Sequence, residues 1–184
     1  EITEKEKTVD SDIKSAFLKG NTREHMLLFY PNSPLLGISS NELIKIKFEV
    51  DINPPKYANC EPQFILLPAP CGVNLYDAPS LFAGKLHAVI CRSWKNRIKG
   101  RDLYDYVFYL SKGTQFNLPH LKERLVQTEA IAPEKNLTID DVKNMLIEKF
   151  DAIDYDQAKK DVMPFIKDTK SIDIWSANFF KAIT

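Results

Sequence analysis

Leu43-Ile44-Lys45-Ile46-Lys47-Phe48-Glu49-Val50-Asp51-Ile52 is the most regular stretch of the chain. Apolar and charged residues alternate, so Ile44, Ile46, Phe48, Val50 and Ile52 fall on one side of an extended backbone, and Lys45, Lys47, Glu49 and Asp51 on the other. The period of two predicts a strand with one buried and one wet face. A wet face explains the charges by itself. It also suits chemistry: carboxylates at i and i+2 approach a hard cation together, and a neighbouring lysine neutralises a phosphate on the same ion.

Upstream, Val9, Ile13 and Phe17 have helical spacing and Gly20 supplies a stop, which predicts a short amphipathic helix in the first twenty residues. Met26-Leu27-Leu28-Phe29-Tyr30 reads as a strand, and an antiparallel pair with Leu43 to Ile52 is the simplest arrangement. Phe64-Ile65-Leu66-Leu67 reads as a third strand, followed by a loop with Pro68, Pro70, Gly72 and Asp77. Pro79 then opens a helix whose stripe is Leu81, Phe82, Leu86, Val89 and Ile90. A second helix is predicted over 101–111, with Leu103, Val107 and Leu110 inward and Gly113 closing it. Helices over 121–128, 139–150 behind a Thr138 cap, 155–166 and 174–182 predict a C-terminal bundle. The expected class is α+β, with a boundary near residue 113 separating 1–113 from a helical domain, 114–184.

The chain has 184 residues, enough to bury a real core without disulfides. Cys60, Cys71 and Cys91 form no C-x-x-C pair and no ladder with His25, His87 and His120, which speaks against a structural zinc site and for a reducing compartment. No apolar stretch approaches the roughly 20 residues of a membrane span, and Glu1-Ile2-Thr3-Glu4-Lys5-Glu6-Lys7 is too charged for a signal peptide, so a soluble cytoplasmic protein is expected. Net charge is zero, yet residues 85–112 carry seven basic side chains against two acidic ones. A basic island in a neutral chain suits a triphosphate or an RNA backbone; a solvated helix face is the plainer reading.

Within that island, Lys85 sits on a helix beside the small Gly84, where a ligand or another backbone can come close. Arg97-Ile98-Lys99-Gly100-Arg101-Asp102-Leu103-Tyr104-Asp105-Tyr106 is a basic loop running into a helix with an acidic first turn. Asp102 and Asp105 favour the positive helix start, and Arg101 is placed to pair with Asp105 at i+4. The helix start explains the acids but not the cations before them.

These elements resemble the later motifs of the AbiEii/AbiGii toxin family of nucleotidyltransferases. Its third motif, a lysine-apolar-glutamate strand, is matched by Lys47-Phe48-Glu49. Its fourth, a lysine helix followed by a K-x-R-D-x-x-D helix start, is matched by Lys85 and then Lys99, Arg101, Asp102 and Asp105. A weaker likeness continues through Ile139-Asp140-Asp141-Val142, Phe150 and the run from Ala158 to Phe165, so that it covers residues 25 to 184. The family's first motifs, a Gly-Gly-Ser/Thr loop and an apolar strand bearing Asp-x-Asp, have no counterpart: there is no Gly-Gly, and Asp10-Ser11-Asp12 follows a charged run rather than a buried strand. The expectation is that an N-terminal segment is missing and that the fragment is inactive by itself.

The resemblance implies a polymerase-beta-type mixed sheet with flanking helices, and transfer of a nucleoside monophosphate from a nucleoside triphosphate to an RNA or protein acceptor with Mg2+. It implies catalytic roles for Lys85, Asp102 and Glu49, phosphate contacts from Lys47, Lys99 and Arg101, metal ligation by Glu49 and Asp51, and support from Asp105. It also implies a toxin restrained by a cognate antitoxin. Two other readings remain open: a non-catalytic scaffold that binds RNA or a partner protein, and an RNA binder using Arg92, Lys95, Arg97, Lys99 and Arg101 on phosphates with Tyr104 or Trp94 stacking on bases.

Overall fold

The computed structural model describes residues 2–4, 13–21, 43–67, 69–93 and 98–184. It is α+β and divides into two compact units, Glu1–Pro54 and Pro55–Thr184. The expected boundary near residue 113 falls inside the second unit.

In the first unit, β1 (Ile2–Glu4), β2 (Ile13–Asn21) and β3 (Leu43–Asp51) form a three-stranded antiparallel sheet in that order. β3 is the strand that alternation predicts. β2 replaces the expected N-terminal helix: its nine residues pair with β3 from Ile13 opposite Asp51 to Asn21 opposite Leu43. The Ile13/Phe17 spacing is a local signal, and a ladder with a partner some thirty residues away outweighs it. Gly20, read as a helix stop, sits within the strand opposite Ile44. The strand expected at Met26–Tyr30 lies outside the described residues, as do Val9 and Asp10-Ser11-Asp12. The alternation predicts a buried apolar face, yet Phe48 is 54 % and Val50 61 % exposed.

The second unit begins with a hairpin of β4 (Cys60–Ile65) and β5 (Cys71–Tyr76). The sequence here reads as loop, because Pro68, Pro70 and Gly72 punctuate the stretch; its pairing partner, not its composition, makes β5 a strand. Every described strand pairing is antiparallel, where the resemblance implies a mixed sheet.

Helices follow. α1 (Ala78–Cys91) starts at Asp77, whose carboxylate accepts the Ser80 amide at 2.8 Å. A hydrogen bond from the Ser80 side chain is the main reason that this carboxyl is held below its usual range. α2 (Gly100–Ser111) ends before Gly113, which has φ +64°. α3 (Leu118–Gln127) is capped by Asn117, and α4 (Ile139–Asp151) by a reciprocal Thr138/Asp141 capping box. α5 (Tyr155–Val162) is shorter than expected because Pro164 turns the chain into a 3-10 turn, Met163–Phe165. α6 (Ala177–Ala182) is shorter because Ser176 takes its N-terminus.

One core unites these helices: Phe82, Leu86 and Val89 of α1, Leu103 and Tyr106 of α2, Leu121 and Leu125 of α3, Val142, Leu146 and Phe150 of α4, and Phe180 of α6 are buried together. Leu81, expected in the stripe, is exposed, and the inward face of α2 is centred on Leu103 and Tyr106, with Val107 and Leu110 only partly buried. His120 is fully buried as a polar pin: one ring nitrogen meets the Lys56 carbonyl at 2.7 Å, and the other accepts from Arg124 Nε at 2.9 Å. That pairing makes Nδ1 the donor.

Two places test this packing. A Cβ on Gly100 would lie 1.9 Å from the Ala158 carbonyl oxygen, so only glycine lets α2 start against α5. Gly100→Ala is expected to lower unfolding free energy by about 2 kcal/mol or more in a urea titration. His87 meets Thr128 Oγ1 at 3.0 Å, and burial, aided by the Arg124 and Arg92 cations, pushes its pKa down to about 4. Between about 6.5, the ordinary histidine value, and this lower one, the unfolded chain takes up a proton that the folded chain refuses. This stability contribution is full above that window and fades as pH falls through it. The urea midpoint of His87→Gln should therefore fall less between pH 7.5 and pH 4.5 than that of the parent.

Candidate functional site

The residues singled out by sequence gather in two clusters, one in each unit. In the first unit, β3 carries Lys47, Glu49 and Asp51 on alternate positions, all exposed. Lys47 Nζ lies 2.5 Å from Glu49 Oε1, and Ser15, directly opposite on β2, donates its hydroxyl to the same oxygen at 3.4 Å. The two charges are i and i+2, the spacing that puts strand side chains on one face. Asp51 Oδ1 accepts the Asn53 amide at 3.0 Å and so closes the turn after β3. Glu49 and Asp51 are hard oxygen donors within reach of solvent, the ligand type that magnesium takes in ones and twos alongside phosphates. Among the described residues, no three His, Cys, Asp or Glu side chains gather as a ready metal cage.

In the second unit the cluster is the seam between α1 and α2. Lys85 Nζ pairs with Asp105 Oδ2 at 2.7 Å, and Arg92, just past the end of α1, pairs with Asp102. Lys85 and Arg92 are seven apart, two helical turns, and Asp102 and Asp105 are three apart, so each pair of like charges shares one helix face. The earlier cation meets the later acid, as antiparallel neighbours require.

The two ion pairs differ in surroundings. The Asp102 side chain is only 10 % exposed, whereas those of Lys85 and Asp105 are 41 % and 35 % exposed. Arg92, placed by sequence only among the cations of the RNA-binding reading and not in the motif match, is the partner of Asp102; its spacing of seven from Lys85 puts the two cations on one face. Its carbonyl is in turn held by Lys149 Nζ of α4 at 2.7 Å, and burial lowers the Lys149 pKa. Next to it, the Cys91 thiol is pushed up by burial, as an inert core thiol is.

The expected Arg101–Asp105 pair does not form. Asp105 is taken by Lys85, and the Arg101 guanidinium lies 4.6 Å from the centre of the Phe165 ring. Lys99 is the residue before α2, its carbonyl accepting the Asp102 amide at 3.0 Å. The space beside Gly84 is filled from within: a Cβ there would meet the Arg124 guanidinium at 3.5 Å. Trp94, Lys95 and Arg97 lie outside the described residues.

The second cluster offers an ammonium held at the surface by one exchangeable carboxylate, and a buried acid–guanidinium clamp behind it. The first offers two exposed carboxylates with a lysine. Exposed ammonium and carboxylate groups are of the chemical types that suit phosphates and hard cations.

No helix among the described residues is long and apolar enough to cross a membrane. Neither a curated protein nor a solved structure matches the chain. A comparison with protein families does find a match, over residues 1–180, to the family described as nucleotidyl transferase AbiEii toxin, type IV TA system. The match starts well before residue 25, where the motif resemblance begins, and takes in both clusters. The chain belongs to the AbiEii family of nucleotidyl transferase toxins of type IV toxin–antitoxin systems.

Proposed function

We propose that this protein is a toxin, opposed by a cognate antitoxin, that transfers a nucleoside monophosphate from a nucleoside triphosphate to a hydroxyl of an RNA or protein acceptor, the chain described supplying the lysine helix and the basic start of α2 to that reaction. The observation that carries the reading is Lys85. Among the described residues its ammonium pairs with Asp105, in a half-exposed ion pair, and such pairs are worth only about 0–1 kcal/mol. A triphosphate, with several negative charges, competes for that ammonium at little cost. Gripped there, the cation stabilises charge that grows on the leaving phosphates as the bond breaks.

The acceptor oxygen attacks the α-phosphorus and forms a new P–O bond. The bond from that phosphorus to the bridging oxygen of the β-phosphate breaks, pyrophosphate leaves with the electron pair, and the hydroxyl proton passes to water. Lys99 and Arg101, at the start of α2, add positive charge for phosphate oxygens. In the first unit, taken by itself, Glu49 and Asp51 would hold Mg2+, which when bound draws charge from phosphate oxygens, and Lys47, in an exposed pair with Glu49, would turn to a phosphate on that ion. Asp102, nearly buried against Arg92, acts by position: it fixes the first turn of α2 and hence the direction in which Asp105 presents Lys85.

The full-length protein is incubated with Mg2+, total RNA and each nucleoside triphosphate labelled at the α-phosphate. Label should enter RNA or protein from one or more of them, and Lys85→Ala should cut the rate by about 100-fold or more while the folded signal stays intact. Asp105→Asn, which frees Lys85 rather than removing it, should stay within about ten-fold of the parent rate. Absence of label with every triphosphate would overturn the transferase reading in favour of a binding scaffold.

A further inference from the structure

The outer side of α2 carries aromatic rings that the transfer chemistry leaves unused, flanked by Lys112 and by Arg101, a cation which that chemistry already places on phosphate. Tyr106 is buried, so positions two residues away in either direction, Tyr104 and Phe108, point outward, and they are 40 % and 48 % exposed. Arg101 lies one turn before Tyr104 and Lys112 one turn after Phe108. Each cation rests on a ring: Arg101 at 4.6 Å from the centre of Phe165, itself 62 % exposed, and Lys112 at 5.8 Å from the centre of Phe108. Tyr104 and Phe108 edge a cleft of about 190 Å³ floored by Val107, Ile172 and Trp175.

Charge decides what this ridge suits. Both acids of α2 are already paired with cations of the α1 side, Asp105 with Lys85 and Asp102 with Arg92, so neither adds net negative charge against Arg101 and Lys112. The neighbouring segment 167–173 is neutral, with Lys167 and Lys170 against Asp168 and Asp173. A peptide partner would need acids aligned with two cations and apolar groups between them. An unpaired polynucleotide supplies both in its repeat: flat bases for rings and phosphates for cations.

We propose that the Arg101–Tyr104–Phe108–Lys112 ridge binds single-stranded RNA, with bases stacked on Tyr104 and Phe108 and phosphates on the two cations. This deepens the transferase reading and rests on it for one point, that the bound strand is the acceptor. A duplex, whose bases are already stacked on each other, gains nothing from these rings.

The test is fluorescence anisotropy of a labelled oligouridylate of about a dozen nucleotides, without nucleoside triphosphate or magnesium. Affinity should fall about ten-fold for Tyr104→Ala and for Phe108→Ala, while Phe108→Trp keeps it. Lys112→Gln should reduce the salt dependence by about one released counterion. Phe64→Ala, on the exposed β4–β5 hairpin, should bind as the parent does. All variants should melt with the parent, since the replaced rings are exposed. Equal affinity for parent and Phe108→Ala, equal competition by duplex RNA, or no binding at low salt would each overturn the ridge. Label transfer and strand binding are separate readouts: binding without transfer would sink the transferase reading alone, and transfer to RNA undisturbed by Tyr104→Ala and Phe108→Ala would sink the ridge alone.

Discussion

The burial of Tyr106 sets the rotation of α2, and the second unit's chemistry depends on that rotation. Its ring is 2 % exposed, with centroids 5.5 to 6.2 Å from Phe82, Phe150 and Phe180, and its hydroxyl meets Thr184 Oγ1 at 2.8 Å. Burial raises the phenol pKa, so it stays a neutral partner. With Tyr106 inward, a helix of 3.6 residues per turn has no freedom left. Leu103 joins the core, Asp102 and Asp105 turn to the α1 seam, and Tyr104 and Phe108 look outward. Gly100 fixes the other end of the same element by letting it start against the Ala158 carbonyl.

Given that rotation, exposure divides the labour between two similar ion pairs. Arg92–Asp102 has a nearly buried acid and a cation whose own carbonyl is tied to α4, so the clamp is expensive to break. Lys85–Asp105 is partly exposed to water on both sides and is cheaper to exchange. One pair keeps geometry and the other can change partners, a distinction that charge counting along the chain does not make. Lys47–Glu49 on β3 belongs to the exchangeable class.

Much was readable where the signal is local. Thr138 and Asp141 form their capping box because both partners lie within one turn, and Asp77 with Pro79 announces α1 in the same way. The alternation from Leu43 to Ile52 predicts β3 because a period of two has few other uses. Motif spacing placed Lys85, Asp102 and Asp105 in a charged neighbourhood, and the fold brings them together on one seam. Legibility failed where the outcome hangs on a distant partner. Ile13 to Asn21 has helical spacing yet becomes a strand on β3, and Cys71 to Tyr76 looks like loop until β4 lies beside it. Arg101 was matched to Asp105 by i+4 proximity, but Lys85, from another helix, has that acid.

By itself, then, the sequence determined the capped starts of α1 and α4, the strand at Leu43–Asp51 and the family to which the chain belongs, since these rest on residues within a turn or a fixed motif spacing. Tertiary structure alone decided which acid pairs with which cation, which carboxylate is buried, and which rings of α2 face solvent. The physical reason is that pairing and burial depend on what packs alongside, and a helix rotates to satisfy its largest buried side chain before its charges find partners.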